Sequence, residues 1–303
     1  MAKIMTVRGE IDSSDLGICL SHEHLFVDWY LVDRNPDHWL DHMGSAVDDL
    51  KHYKSIGGSA LLDLTNLGLG RDPKRIKEAA ESSDLHIVMG CGWYREPFYP
   101  AEINRRSLNS LAAELIDEIE NGVNGVKPGV IGEIGTDREF VSGVEERVLR
   151  ASARAALHTG LAVVTHAIKS RVGLDQLEIL ADEGLQLNRV SISHCDSFMH
   201  FDYHEGIASQ GAYVSFDSNN PRNPLLQRLR VEAVLNLVQK GFEDRVVLSQ
   251  DVCKSDHRRE AGGPGYSYVL EKMLPELLSR GVTQAQVDKF MIHNPRRLLT
   301  GEN

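Results

Sequence analysis

"ICLSHEHLF", Ile18 to Phe26, opens on an apolar run and ends in two histidines one residue apart. The run reads as a buried strand that meets polar groups at its carboxyl end. Side chains at i and i+2 of a strand share a face, so His22 and His24 aim together and Glu23 aims away. Converging imidazoles suit a divalent metal ion, whereas the plainer reading is one surface histidine and one hydrogen-bonded core histidine. A doubly wound open sheet would require a glycine-rich phosphate loop after an early strand, and this stretch is no such loop. The alternative is a closed barrel.

Working outward, the candidate strands are "ICLSH" from Ile18, "SALLDLT" from Ser59, "HIVMGC" from His86 and "GVIGEIG" from Gly129. "LAVVTH" from Leu161, "RVSISH" from Arg189, "AYVSFD" from Ala212 and "RVVLSQD" from Arg245 complete the set. Most are continuously apolar, as expected of parallel strands buried on both faces. Helical patterns separate them. "RDPKRIKEAAESS" starts with Asp72 as N-cap and Pro73 at the first helical position. "SLNSLAAELIDEIENG", "GVEERVLRASARAALHTG" and "GLDQLEILADEG" each close on a glycine. Eight strands alternating with helices predict an α/β fold, a (β/α)8 TIM barrel. No linker, low-complexity tract or fixed repeat interrupts the series, so one domain over residues 1–303 is expected. The long excursion "GWYREPFYPAEINRR" has the length of a loop that carries function or covers a site.

The net charge of −11 argues against nucleic acid or an anionic membrane as partner, since both require a concentrated basic surface. No apolar run approaches the roughly 18 residues that would span a bilayer. "MAKIMTVRGEIDSSD" has no signal-peptide pattern, so a cytoplasmic location is expected. Cys19, Cys91, Cys195 and Cys253 lack zinc-finger spacing and read as four buried thiols.

Chemistry collects at strand ends. His22 and His24 end the first strand, Glu133 the fourth, His166 the fifth, His194 the sixth and Asp251 the eighth. All fall on the carboxyl rim, where barrel active sites lie. Taken singly, each has a plainer role: Glu133 satisfying loop amides, or Asp251 capping a helix or pairing with Lys254. Six such residues on one rim point instead to a metal site. Six ligands exceed the needs of one tetrahedral ion but fit two divalent metals about 3.5–4 Å apart. His22, His24 and Asp251 would hold one, His166 and His194 the other, with Glu133 bridging. Zinc is the expected ion, with manganese, cobalt or iron as alternatives.

This order of residues resembles the amidohydrolase superfamily and, more narrowly, the phosphotriesterase family with its phosphotriesterase-related and lactonase branches. The matching segments run from "LGICLSHEHL" through "TNLGLGRDP", "GCGWYREPFYP", "GVIGEIGTD", "VVTHA", "ISHCD" and "VVLSQDVC" to "GGPGYSYVL" and "NPRRLL". Many members bridge their metals with a carboxylated lysine from strand four. Here Lys127 precedes the strand, and Glu133 resembles the bridging glutamate of the phosphotriesterase-related branch. The resemblance implies hydrolysis by a water activated between two metal ions, with Asp251 as the proton carrier. Carboxylic esters, lactones first and sugar or sugar-phosphate lactones among them, are the expected substrates. The alternatives are N-acyl amines, weak organophosphate triester hydrolysis, or a metal-stabilised binding protein without turnover. Tyr94 resembles a tyrosine that lactonase relatives place near the metals, although it also reads as a rim aromatic packing on "REPFYP". Lys254, His257, Arg258 and Arg259 follow the last strand, and Lys254 and Arg258 are expected to receive an anionic substrate group. Arg71 reads as structural. The expected partner is a small-molecule substrate, and the resemblance leaves a homodimer open.

Overall fold

The apolar runs become strands. The computed structural model describes residues 2–302. An antiparallel hairpin comes first, β1 (Lys3–Thr6) and β2 (Gly9–Asp12). It is followed by β3 (Cys19–Glu23), β4 (Ala60–Asp63), β5 (His86–Cys91), β6 (Val130–Gly135) and β7 (Val163–His166). The last three are β8 (Val190–Ser193), β9 (Tyr213–Phe216) and β10 (Val246–Leu248). β3 to β10 form one sheet in chain order with every neighbouring pair parallel. β10 curls round to meet β3, where the His22 amide donates to Ser249 Oγ at 3.0 Å and the Asp251 amide to the His22 carbonyl at 3.3 Å. The sheet is a nearly closed (β/α)8 barrel.

Alternation along the strands divides the core. Cys19, Ala60, Leu62, Val88, Val164 and Val247 pack together inside the barrel. Leu20, Leu61, Ile87, Val163 and Val246 face outward into a larger core shared with the helices. The helices form where expected. Asp72 Oδ1 accepts from the amides of Lys74 and Arg75 to open Pro73–Ser83. Gly160 ends Gly143–Thr159 in the left-handed region at φ 75°. Two helices depart from the pattern: Val269–Met273 and Lys289–His293 are wound as π turns before Leu274–Ser279 and Asn294–Thr300 continue as α-helix. Pro275 has no N–H to donate, and the wider turn absorbs the missing bond.

The hairpin was not legible in the sequence and closes the amino end of the barrel. Ile4 joins the interior cluster, and the Val7 amide donates to the Ile87 carbonyl at 2.9 Å. Gly129 must be glycine here, because a Cβ would collide with the Met5 carbonyl.

Arg71 is structural, as expected. Its guanidinium is buried, donates to the Gly90 carbonyl at 2.6 Å and lies 2.6 Å from Glu118 on the helix Leu108–Asn121. Arg71→Ala strands a buried carboxylate and is expected to lower the unfolding free energy by about 3–5 kcal/mol, read as a fall in Tm. An unchanged Tm would show that Glu118 finds another partner. No helix among the described residues is long and apolar enough to cross a membrane.

Candidate metal centre

Two strands change phase just before the rim. Plain alternation from Cys19, which faces inward, would place Ser21 and Glu23 inside. The β3–β4 register shifts between Leu20 and Glu23, and His22 and His24 face inward instead. β6 shifts likewise between Ile131 and Ile134, which brings Glu133 inside. Bulges at barrel rims re-aim side chains in this way. His194 and Asp251 lie one and three residues beyond their strands, in left-handed conformations at φ 57° and 51°. The expected strand ends are therefore longer than the observed ladders, because these turns carry the last ligand-type residues out of register.

The rim residues converge. Ligand atoms of His22, His24 and Glu133 lie within 4.8 Å of one another, as do those of Glu133, His166 and His194. Glu133 is common to both groups. Its Oε2 is 2.7 Å from His166 Nδ1 and 3.3 Å from His194 Nε2, and its Oε1 is 3.7 Å from His24 Nε2. Asp251 Oδ1 stands 3.4 Å from His24 Nε2, with 21% of its side chain exposed.

Three imidazoles are held by one nitrogen and present the other. His22 Nδ1 lies 2.9 Å from Ser193 Oγ and 3.2 Å from Asp217 Oδ2. His24 Nδ1 is held by Thr65 Oγ1 at 2.9 Å, and His194 Nδ1 by Asp217 Oδ1 at 2.8 Å. Supporting bonds of this kind fix the tautomer and aim of metal-ligating histidines. His22 Nε2 is buried, has no hydrogen-bond partner and lies 3.6 Å from Glu133 Oε2. His166 is turned the other way, with Nδ1 toward Glu133 and a partnerless Nε2. Imidazole nitrogens gathered round a shared carboxylate, with His22 Nε2 buried and partnerless beside it, are a donor set that fits divalent cations.

Electrostatics agree. Burial opposes ionisation of Glu133, but His166 and His22 outweigh it and hold the carboxyl well below the usual range. Burial also works against charge on His22, yet Asp217 and Glu133 raise it to about 9. At His166 burial prevails and pushes the imidazole down to about 4. Burial raises Asp251, while the hydrogen bond from His24 and the nearby charges of His22 and His194 bring it to about 2.

A cavity of about 150 Å³ opens over these groups, lined also by Trp29, Tyr94, Ile168, Ser197 and Ser218. Tyr94 is buried with its ring 4.9 Å from that of His166. Larger hollows of about 400 and 370 Å³ lie elsewhere, and neither holds a metal-type cluster among the described residues.

The basic loop behaves differently from expectation. Arg258 is 3% exposed and turned inward, donating to Tyr266 Oη at 2.7 Å and to the Leu25 carbonyl at 2.6 Å, with Asp49 at 3.6 Å. A guanidinium so engaged is not free for substrate, and that expectation is corrected. Lys254 does not line the cavity. Its ammonium sits 5.2 Å over the ring of Trp29 and 3.7 Å from Asp33. Sequence reasoning missed Asp217 altogether, although "AYVSFD" ends in an acid at the rim just as the ligand-bearing strands do.

An eight-stranded parallel barrel whose rim could hold metal ions is the architecture of a family of hydrolases. The model of the phosphotriesterase family matches residues 2–299, and the chain belongs to that family. The phosphotriesterase homology protein of Escherichia coli is 33% identical over 281 residues, covering 92% of this chain and 96% of that protein. Its crystal structure, complexed with phosphate in the active site, superposes with a TM-score of 0.92 at 32% identity over 95% of this chain and 100% of that one. N-acetyltaurine hydrolase of Danio rerio is 28% identical over 344 aligned positions, 98% of each chain. A lactonase from Listeria monocytogenes superposes with a TM-score of 0.91 at 27% identity, with 100% of each chain covered.

Proposed function

We propose that this hydrolase cleaves small carboxylic acyl bonds, lactones and other esters first, with two divalent ions at the rim. His22, His24 and Asp251 would hold one, His166 and His194 the other, and Glu133 would lie between. The observation that carries this reading is the sharing of Glu133 by two separate histidine groups. Divalent ions bound there supply Lewis acidity, which lowers the pKa of water and polarises an acyl carbonyl. The chain supplies the rest. Asp251, ionised at neutral pH and open to the cavity, accepts the proton of the attacking water and returns it to the leaving oxygen or nitrogen. Tyr94, kept neutral by burial, offers a phenol at the cavity wall against which the acyl group rests. Trp29 and Ile168 supply apolar surface beside it.

A second reading, hydrolysis of short N-acyl amines, is favoured by the cavity. Its volume of about 150 Å³ admits an acetyl-sized group but falls below the roughly 300 Å³ where drug-sized sites begin. The N-acetyltaurine hydrolase relatives act on a substrate of that shape by name. A panel of short lactones, acetate esters, N-acetyl amines and a phosphotriester, assayed with metal-loaded protein, decides between them. We expect kcat/KM for the best acyl substrate to exceed that for the triester at least tenfold. Tight binding without turnover across the acyl panel would make the barrel a binding protein and end the proposal.

A further inference from the structure

Glu23, between the two rim histidines, faces away from the cavity but not toward solvent. It is 0% exposed, and among the described residues no cationic side chain pairs with it. A buried carboxylate must be held by donors, and this one has three. The Gln250 amide donates at 2.8 Å to Oε1 and the Val252 amide at 2.8 Å to Oε2, while Ser249 Oγ shares its one proton between Oε1 and the His22 carbonyl, each at 2.7 Å. The two amides flank Asp251, whose own N–H donates to the His22 carbonyl. Three successive N–H groups beyond β10 are thus captured by residues 22 and 23.

The residue at the centre of this clamp is in a strained conformation. Asp251 adopts φ 51°, a left-handed geometry that residues with a side chain visit seldom, aspartate and asparagine more readily than others. The amides of Gln250 and Val252 turn toward one anion across a left-handed residue, as in a concave backbone nest. Relaxing Asp251 to an extended conformation would turn the flanking amides away and leave the carboxylate buried without its donors. The β3 bulge makes the clamp feasible, since the same shift that sends His22 and His24 inward sends Glu23 toward the end of β10.

We infer that Glu23 is a positioning residue, which holds Asp251 in its left-handed turn and so aims the Asp251 carboxylate at His24 and the cavity. The inference rests on Asp251 being the proton carrier of the proposed reaction, but the geometric part can be read without turnover. Glu23→Gln keeps size and one acceptor but sets an amide N–H against the Val252 N–H. In metal-free Glu23→Gln, hydrogen exchange of the segment 249–253 is expected to be at least tenfold faster, with other strand ends unchanged. In the metal-loaded protein, kcat is expected to fall 10- to 100-fold with KM within twofold and metal content retained. Placed on Asp251→Asn, the same change is expected to cost less than a further twofold, because its effect passes through Asp251.

Unchanged exchange in Glu23→Gln, or a full multiplicative loss on Asp251→Asn, overturns the inference. If exchange accelerates but kcat holds in both single variants, the clamp stands and the proton-carrier reading of Asp251 falls instead. If Glu23→Gln does not accumulate folded, Ser249→Ala removes one donor to Glu23 together with the acceptor of the His22 amide. It is expected to give two- to fivefold faster exchange over the same segment, and an unchanged rate there overturns the inference as well.

Discussion

Asp251→Asn is expected to lower kcat by roughly 10²–10⁴-fold, the range over which a positioned proton carrier accelerates a reaction. The substitution is nearly isosteric, so the left-handed turn and its three backbone contacts persist. What disappears is the ability to accept a proton. An amide oxygen still lies beside His24 Nε2, 3.4 Å from Asp251 Oδ1 in the structure, but it cannot take a proton from water near neutral pH. Binding determinants at Trp29, Tyr94 and Ile168 are untouched, so KM is expected to stay within a few-fold. The decisive measurement is kcat on protein whose metal content equals that of the parent. An unchanged value would remove Asp251 from the mechanism.

Glu133→Gln is expected to do more damage. Among the described residues this carboxylate alone lies within reach of all four rim histidines, at 2.7 to 3.7 Å. Its neutral replacement leaves His22 and His194, whose protonated forms the nearby carboxylates favour, with Asp217 alone to compensate them. Loss of a supporting group around a metal typically costs 10- to 100-fold in affinity or activity, and loss of a shared ligand should exceed that roughly 100-fold bound. Emission spectrometry is expected to find less than half the parent's metal per chain, with turnover near background. A Glu133→Gln protein that keeps the parent's ion content would show that Glu133 does not bridge. Chelation of the parent should reproduce the loss, and added zinc should reverse it.

Much of this architecture was readable from residues alone, for identifiable reasons. Parallel strands covered on both faces must be apolar throughout, so the eight runs announced themselves. Barrel active sites lie at the carboxyl ends of the strands, so His166 and His194 marked the rim. Other features have no local signature. Nothing in "CLSHE" says that the strand shifts register, because a bulge is a backbone event compatible with many side chains. Arg258 looked available because its partners, Leu25 and Asp49, lie more than two hundred positions earlier. Glu23 was read as aiming away, which was right as to face but silent about what lay behind it. The opening hairpin escaped because its strands are partly exposed and carry no continuous apolar run, unlike the equally short barrel strands.

The seam between β3 and β10 has a consequence for biosynthesis. The bond from Val252 to Glu23 spans 229 residues. At the usual 5–20 residues per second, a ribosome needs about 10–50 s between making the two ends. Throughout that interval β3 is an edge strand with an unsatisfied flank, and its paired histidines have no counterpart. A nascent chain in that condition invites non-native pairing, so holdase chaperones that shield the first third should raise the yield of active protein more than any adjustment of the finished fold.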